Sequence, residues 1–105
     1  MSMAKLMFVQ AFLLLMIYSK KSDGQWCIAD EQTPDRELQM GLDWACGIGG
    51  ANCSKIQVGQ ACFMPNTVKA HASYAFNNYF QKFKRRGGNC YFNGGSITTD
   101  LDPSK

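Results

Sequence analysis

Histidine, closely spaced cysteine pairs and long apolar runs are what this chain has least of. It holds one histidine in 105 residues and no Cys-x-x-Cys pair. A structural zinc site takes four nitrogen or sulfur ligands at short spacings, so no metal is expected, and no cofactor. The longest apolar run is residues 6–18 (LMFVQAFLLLMIY). A bilayer-spanning helix needs about 20 such residues, so this run is too short to cross. Carboxylates are few, and charged residues of all kinds make up 18% of the chain. There is no internal repeat, no low-complexity tract and room for only one small domain.

The apolar run instead suits the h-region of a secretory signal peptide behind a weakly basic start. Ser22 and Gly24 place small residues where a signal peptidase inspects them, which sets the leader at 1–24 and the domain at 25–105. The pair Lys20-Lys21 is unusual in that position, and a retained anchor is the competing reading. The formal charge of +3 belongs mostly to the leader. Taking away Lys5, Lys20, Lys21 and Asp23 leaves eight basic residues against seven acidic ones, about +1. That balance gives no electrostatic grip on nucleic acid. The basic group Lys82, Lys84, Arg85 and Arg86 reads as a helix end suited to the dipole. No apolar tail follows Asp102-Pro103-Ser104-Lys105, so no lipid-anchor signal is expected.

All five cysteines, Cys27, Cys46, Cys53, Cys62 and Cys90, follow the leader. In a short exported chain that density reads as a disulfide framework. Five is odd, so one thiol is free, paired between chains, or without a partner in this chain.

Thr33-Pro34 reads as an N-cap and first helical position, with Asp35 and Glu37 favouring the dipole. The helix runs over about 34–46, with Leu38, Gly41, Leu42 and Ala45 on one face and Gly47 as a left-handed cap. The glycine-rich loop 47–52 can curl tightly enough for Cys46 and Cys53 to bond. Asn52-Cys53-Ser54 is formally a glycosylation sequon, which early oxidation of Cys53 would obstruct. A second helix starts at Asn66 or Thr67 and runs to about Lys84. Val68, Ala72, Ala75, Phe76, Tyr79 and Phe83 form its apolar stripe. Gly87-Gly88 ends it, and residues 89–92 and 96–101 read as two strands around Asn93-Gly94-Gly95.

Trp26-Cys27, Leu42-Asp43-Trp44-Ala45-Cys46-Gly47, Asn52-Cys53-Ser54-Lys55-Ile56-Gln57, Cys62-Phe63, the string 65–81 (PNTVKAHASYAFNNYFQ), Gly88-Asn89-Cys90 and Thr98-Thr99-Asp100-Leu101-Asp102-Pro103-Ser104 occur in that order. In this the chain resembles the plant X8 domain, carbohydrate-binding module family 43, over essentially everything after the leader. The resemblance implies a small disulfide-stapled α+β domain with two main helices and a short antiparallel sheet. It also implies binding, without catalysis, of β-1,3-glucans such as callose. Members occur as tails on plant endo-β-1,3-glucanases, as anchored callose-binding proteins at plasmodesmata and as short secreted proteins, some of them pollen allergens of the olive type. This chain is similar to the short secreted kind, which places it in the cell wall or apoplast, including the plasmodesmal region. The family's six-cysteine pattern implies Cys27–Cys90 and Cys46–Cys53. The fourth family cysteine is Cys62, whose usual partner lies a few residues beyond the Asp-Pro-Ser motif, where this chain ends. Cys62 is therefore expected to be unpaired in residues 1–105, and the chain is either a truncated variant or has its true C-terminus beyond Lys105. A monomer is expected, and a disulfide dimer through Cys62 is the sharper alternative, disfavoured because free cysteines are usually buried.

A sugar ring offers apolar C–H faces and equatorial hydroxyls, so its binder wants an exposed aromatic ring beside amides. On the second helix, Tyr74, Asn77, Asn78 and Gln81 lie at three- and four-residue spacings, with His71 one turn before Tyr74. The alternative is that Tyr74 packs under the N-terminal segment and the amides are solvated surface. Trp44 falls off the Leu38–Leu42–Ala45 stripe, on the side of Met40, and is either a stacking platform or a second half of the core. His71 has no serine, cysteine or carboxylate at a dyad spacing and reads as a hydrogen-bonding residue. Glycoside hydrolysis needs two carboxylates across a cleft. Asp30, Glu31, Asp35, Glu37, Asp43, Asp100 and Asp102 cluster around the first helix and at the C-terminus, where so small a domain cannot enclose two of them. Two functions stand. One is non-catalytic β-1,3-glucan binding in the plant cell wall; the other is a secreted interaction module acting on a wall protein such as a glucanase.

Overall fold

The computed structural model describes residues 25–103, so the predicted leader 1–24 lies outside the described residues. The chain order is strand β1 (Trp26–Ala29), helix α1 (Asp35–Cys46), a 3-10 turn (Ser54–Ile56), helix α2 (Val68–Phe83), two further 3-10 turns (Lys84–Arg86 and Phe92–Gly94) and strand β2 (Ser96–Thr99). Among the described residues these elements make a small α+β domain with two helices, one two-stranded antiparallel sheet and two disulfides.

Of the two starts that the sequence offers for helix α2, Asn66 and Thr67, the structure uses Thr67, as the cap before Val68. Thr67 stands in the extended region and its Oγ1 accepts the Ala70 N–H at 3.1 Å, satisfying one of the donors a helix start leaves free. Helix α1 starts differently from the expectation. Pro34, not Thr33, is the N-cap, because its ψ of 147° is extended. Its carbonyl accepts the N–H groups of Glu37 and Leu38 at 3.0 and 3.1 Å. Thr33 is taken up in a turn on Asp30. Nor is Gly47 the left-handed cap; its φ is −102°. The reversal comes later, at Gly50 with φ +83°, and the Ala51 N–H closes back on the Ala45 carbonyl at 2.8 Å.

The hairpin expected from residues 89–92 and 96–101 does not form. Strand β2 pairs instead with β1, in the register Trp26↔Thr99 to Ala29↔Ser96. Two facts explain the exchange. Cys90 is bonded to Cys27 in β1, and Phe92 and Asn93 take left-handed φ values of 41° and 53°, which no strand can continue. The turn therefore delivers residue 96 beside Ala29.

The other edge of β1 is closed by α2. Ser73 Oγ accepts the Ala29 N–H at 3.0 Å, Asn77 Oδ1 accepts the Cys27 N–H at 3.1 Å, and Gln81 Nε2 donates to the Gln25 carbonyl. Helix residues four apart are displaced by about 6 Å along the axis. Strand residues two apart are displaced by about 6.6–6.8 Å. The two repeats nearly match, so residues 73, 77 and 81 act in place of a third strand and leave no bare edge on that side.

The core is small-residue rich: Cys27, Ala29, Leu38, Leu42, Ala45, Ala51, Ile56, Ala72, Ala75 and Phe76. The predicted helix faces supply it, with Leu38, Leu42 and Ala45 from α1 and Ala72, Ala75 and Phe76 from α2. Gly41 lets the helices approach, since a Cβ there would meet the Phe76 ring at 2.8 Å. A core of this size leaves much to the covalent links. The 63-residue separation of Cys27–Cys90 makes that bridge worth roughly 4 kcal/mol in the chain-entropy model. Cys46–Cys53 closes a separation of only 7, worth about half as much. Cys62 is free and exposed, which removes burial as the reason for it to stay unreacted.

Candidate functional site

Besides its core face, helix α1 carries a second stripe at three- and four-residue spacing: Glu37, Met40, Gly41 and Trp44. This stripe, with Arg36, forms one wall of an open groove of about 690 Å³. Tyr79 of α2 and the segment of Asn89, Tyr91, Phe92 and Asn93 form the rest. Trp44 is 43% exposed, Tyr91 64% and Met40 66%.

The aromatic rings are braced against one another. Trp44 meets Tyr79 edge-on with centroids 5.2 Å apart, and Phe92 at 6.0 Å. Phe92 meets Tyr79 at 5.5 Å and stacks on the buried Phe76 at 4.0 Å with an interplanar angle of 12°. The array is thereby tied to the core, and a ring so held presents its free face without much further loss of rotamer freedom. Gly49 backs Trp44: a Cβ there would lie 2.7 Å from the indole Cζ3. The left-handed Phe92-Asn93 step is uncommon for residues other than glycine, and such backbone settings concentrate at ligand sites. Here it turns Phe92 inward onto Phe76 and places both residues in the lining of the groove.

On the far side of the Trp44–Tyr79 pair lies a shallower depression of about 310 Å³ lined by Ile48, Gly49, Phe83, Arg86 and the Gly87-Gly88 bend. Trp44 and Tyr79 belong to both. The result is an aromatic ridge with a hollow on each side, flanked by the charged groups of Arg36, Glu37 and Arg86 and the amides of Asn89 and Asn93. Such a surface can stack on the C–H face of a sugar and bond its hydroxyls from the rim. Glu37 is the one carboxylate among the lining residues, short of the pair that glycoside hydrolysis uses.

The six residues that the sequence singled out fall into two settings. Trp44 stands in the groove. The other five lie away from it, each engaged with the fold. Asn77 and Gln81 belong to the β1 ladder and to each other, Gln81 Nε2 donating to Asn77 Oδ1 at 3.1 Å. Asn78 Oδ1 accepts the Asn52 N–H at 2.8 Å. His71 Nε2 donates to the Phe63 carbonyl at 2.8 Å, its ring 5.3 Å from that of Phe63. Tyr74 is partly buried against the core. Sequence alone places Tyr79 in a packing stripe and Asn89, Tyr91, Phe92 and Asn93 in a hairpin, not at a sugar site, and the one signal for the latter four is a tyrosine-phenylalanine pair beside an asparagine-glycine turn. Among the described residues, no cluster of histidine, cysteine or carboxylate side chains could hold a metal ion.

An exposed aromatic groove on a small stapled scaffold has the form that a surface-binding module requires. The family comparison is specific: the X8 domain model matches residues 25–97, and this chain belongs to the X8 domain family. It is 56% identical over 81 residues to glucan endo-1,3-beta-glucosidase 4 of Arabidopsis thaliana, covering 77% of this chain and 16% of that protein's length. It is 42% identical over 84 residues to the major pollen allergen Ole e 10 of Olea europaea, covering 80% of this chain and 68% of the allergen. With plasmodesmata callose-binding protein 5 of Arabidopsis thaliana it shares 39% identity over 101 residues, 90% of this chain and 56% of the relative. No solved structure matches.

Proposed function

We propose that this chain binds β-1,3-glucan of the callose type, without cleaving it, through the groove centred on Trp44, and does so outside the cell. The observation that carries the site is the indole of Trp44, 43% exposed and fixed between two hollows. Relatives named for glucan endo-1,3-beta-glucosidase activity and for callose binding support the ligand class. The glucosidase is about six times longer than the stretch it shares with this chain, consistent with a module that supplies adhesion rather than chemistry. Two disulfides support an oxidising, extracellular setting, and no helix among the described residues is long and apolar enough to cross a membrane. Of the six residues singled out by sequence, Trp44 meets the sugar in this reading, and Tyr74, Asn77, Asn78, Gln81 and His71 hold the scaffold that presents it.

The test is retention on insoluble β-1,3-glucan with cellulose as control. Trp44→Ala is expected to lower affinity at least tenfold, about 1.4 kcal/mol, with an unchanged circular dichroism spectrum, while Tyr74→Ala keeps binding. Full retention by a folded Trp44→Ala protein, with loss in Tyr74→Ala, would move the site to the outer face of α2. A folded wild-type protein that passes through the glucan unretained would end the glucan reading.

A further inference from the structure

We infer that Asn52 is an N-glycosylation site whose occupancy is set by a race with the Cys46–Cys53 disulfide. The sequon Asn52-Cys53-Ser54 supplies the acceptor amide and the hydroxyl two residues on. In the folded chain Asn52 is exposed. Its Oδ1 accepts both the Ser54 N–H at 3.1 Å and the Ser54 hydroxyl at 2.8 Å. A backbone N–H can only donate, so these bonds fix the amide orientation and turn Nδ2 away from Ser54. The Asn52 backbone is separately fastened, its N–H on Asn78 Oδ1. Among the described residues the side-chain nitrogen is thus the part of Asn52 that makes no hydrogen bond, and a sugar attached to it displaces none of theirs.

In the transfer, Nδ2 attacks C1 of an oligosaccharide carried on a lipid pyrophosphate. The N–C1 bond forms as the bond from C1 to the pyrophosphate oxygen breaks. The amide gives up one proton to a base of the transferase, and the lipid pyrophosphate leaves. The transferase needs the sequon open. Cys53 is its middle residue, and its bond to Cys46, across a separation of 7, closes the loop and fastens both flanks of Asn52. Transfer therefore belongs to the nascent chain before that bridge forms, and wild-type protein emerges as a mixture of glycosylated and bare molecules.

This inference rests on the export reading above. The full chain is expressed in plant cells, and the secreted protein is examined by gel shift and peptide mass before and after peptide:N-glycanase, which leaves an aspartate in place of a glycosylated Asn52. A slower band removed by the enzyme, absent in both Asn52→Gln and Ser54→Ala and increased in Cys46→Ser, is the expected result. A secreted, disulfide-bonded wild-type protein with no glycan overturns the site while leaving export intact. A chain retained inside the cell with reduced cysteines overturns both. Equal occupancy in wild type and Cys46→Ser overturns the race.

Discussion

Asn77 shows how one side chain can be read in two ways. From sequence it is an amide beside a tyrosine on a helix surface, suited to a sugar hydroxyl. In the fold its Oδ1 takes the N–H of Cys27, a residue with no exposed surface, and also receives Gln81. Removing that acceptor strands a backbone donor at the edge of β1, which costs about 1–3 kcal/mol. Asn77→Ala is therefore expected to lower the urea midpoint at unchanged m-value, and Gln81→Ala, whose partner carbonyl lies in an exposed residue, to do so by less. If Asn77 were a sugar contact alone, the variant would lose glucan binding and keep its urea midpoint. Cys62 gives a second test at this scale. Its thiol is exposed while the other four cysteine sulfurs are bonded, so iodoacetamide should add to the native protein's cysteines once, at Cys62. More than one adduct before reduction would contradict the two-bridge framework.

Among the elements, the helices were legible because their signals are local: Thr67 as a cap, proline beside the start of α1, and apolar residues at 3.6 periodicity. The sheet was not, because β2 pairs with a strand some seventy residues away, and the deciding features are a long-range disulfide and two left-handed residues in Phe92-Asn93. An asparagine-glycine turn between two short β-like runs reads as a local hairpin until those constraints are known. The same limit hid the groove, since Asn89, Tyr91 and Phe92 join Trp44 in its lining only after the chain has returned. The spacing of Ser73, Asn77 and Gln81 by four was visible, but the strand it serves was not. Gly41 puts two element-scale effects in opposition. Alanine inside a helix gains about 0.8–1.0 kcal/mol over glycine. The added Cβ would stand 2.8 Å from the Phe76 ring, which is itself sealed in the core and stacked on Phe92. Overpacking of that kind costs about 1–3 kcal/mol. Packing should win: Gly41→Ala is expected to lower the melting temperature, and a rise would show that the helices can separate at little cost.

For the whole molecule, binding and folding depend on different charges and different bonds. The seven basic and seven acidic residues between 25 and 103 balance, and the groove presents rings rather than a field of one sign. Retention on glucan should thus change little between low and high salt, unlike binding that releases counterions. Folding leans on Cys27–Cys90. That bridge joins the strand at one end of the domain to the segment that forms the groove wall, and its contribution of roughly 4 kcal/mol approaches the 5–15 kcal/mol margin of an ordinary domain. Reduction should consequently abolish glucan retention and the cooperative thermal transition together, whereas blocking Cys62 without reduction should leave both. The decisive intermediate is Cys46→Ser with Cys53→Ser, which removes only the shorter loop. It should retain a cooperative transition at lower temperature and keep binding in proportion to the folded fraction. Retention that survives full reduction after the thermal transition has vanished would mean that the aromatic segments bind glucan without the scaffold, and would remove the preorganised ring array as the basis of recognition.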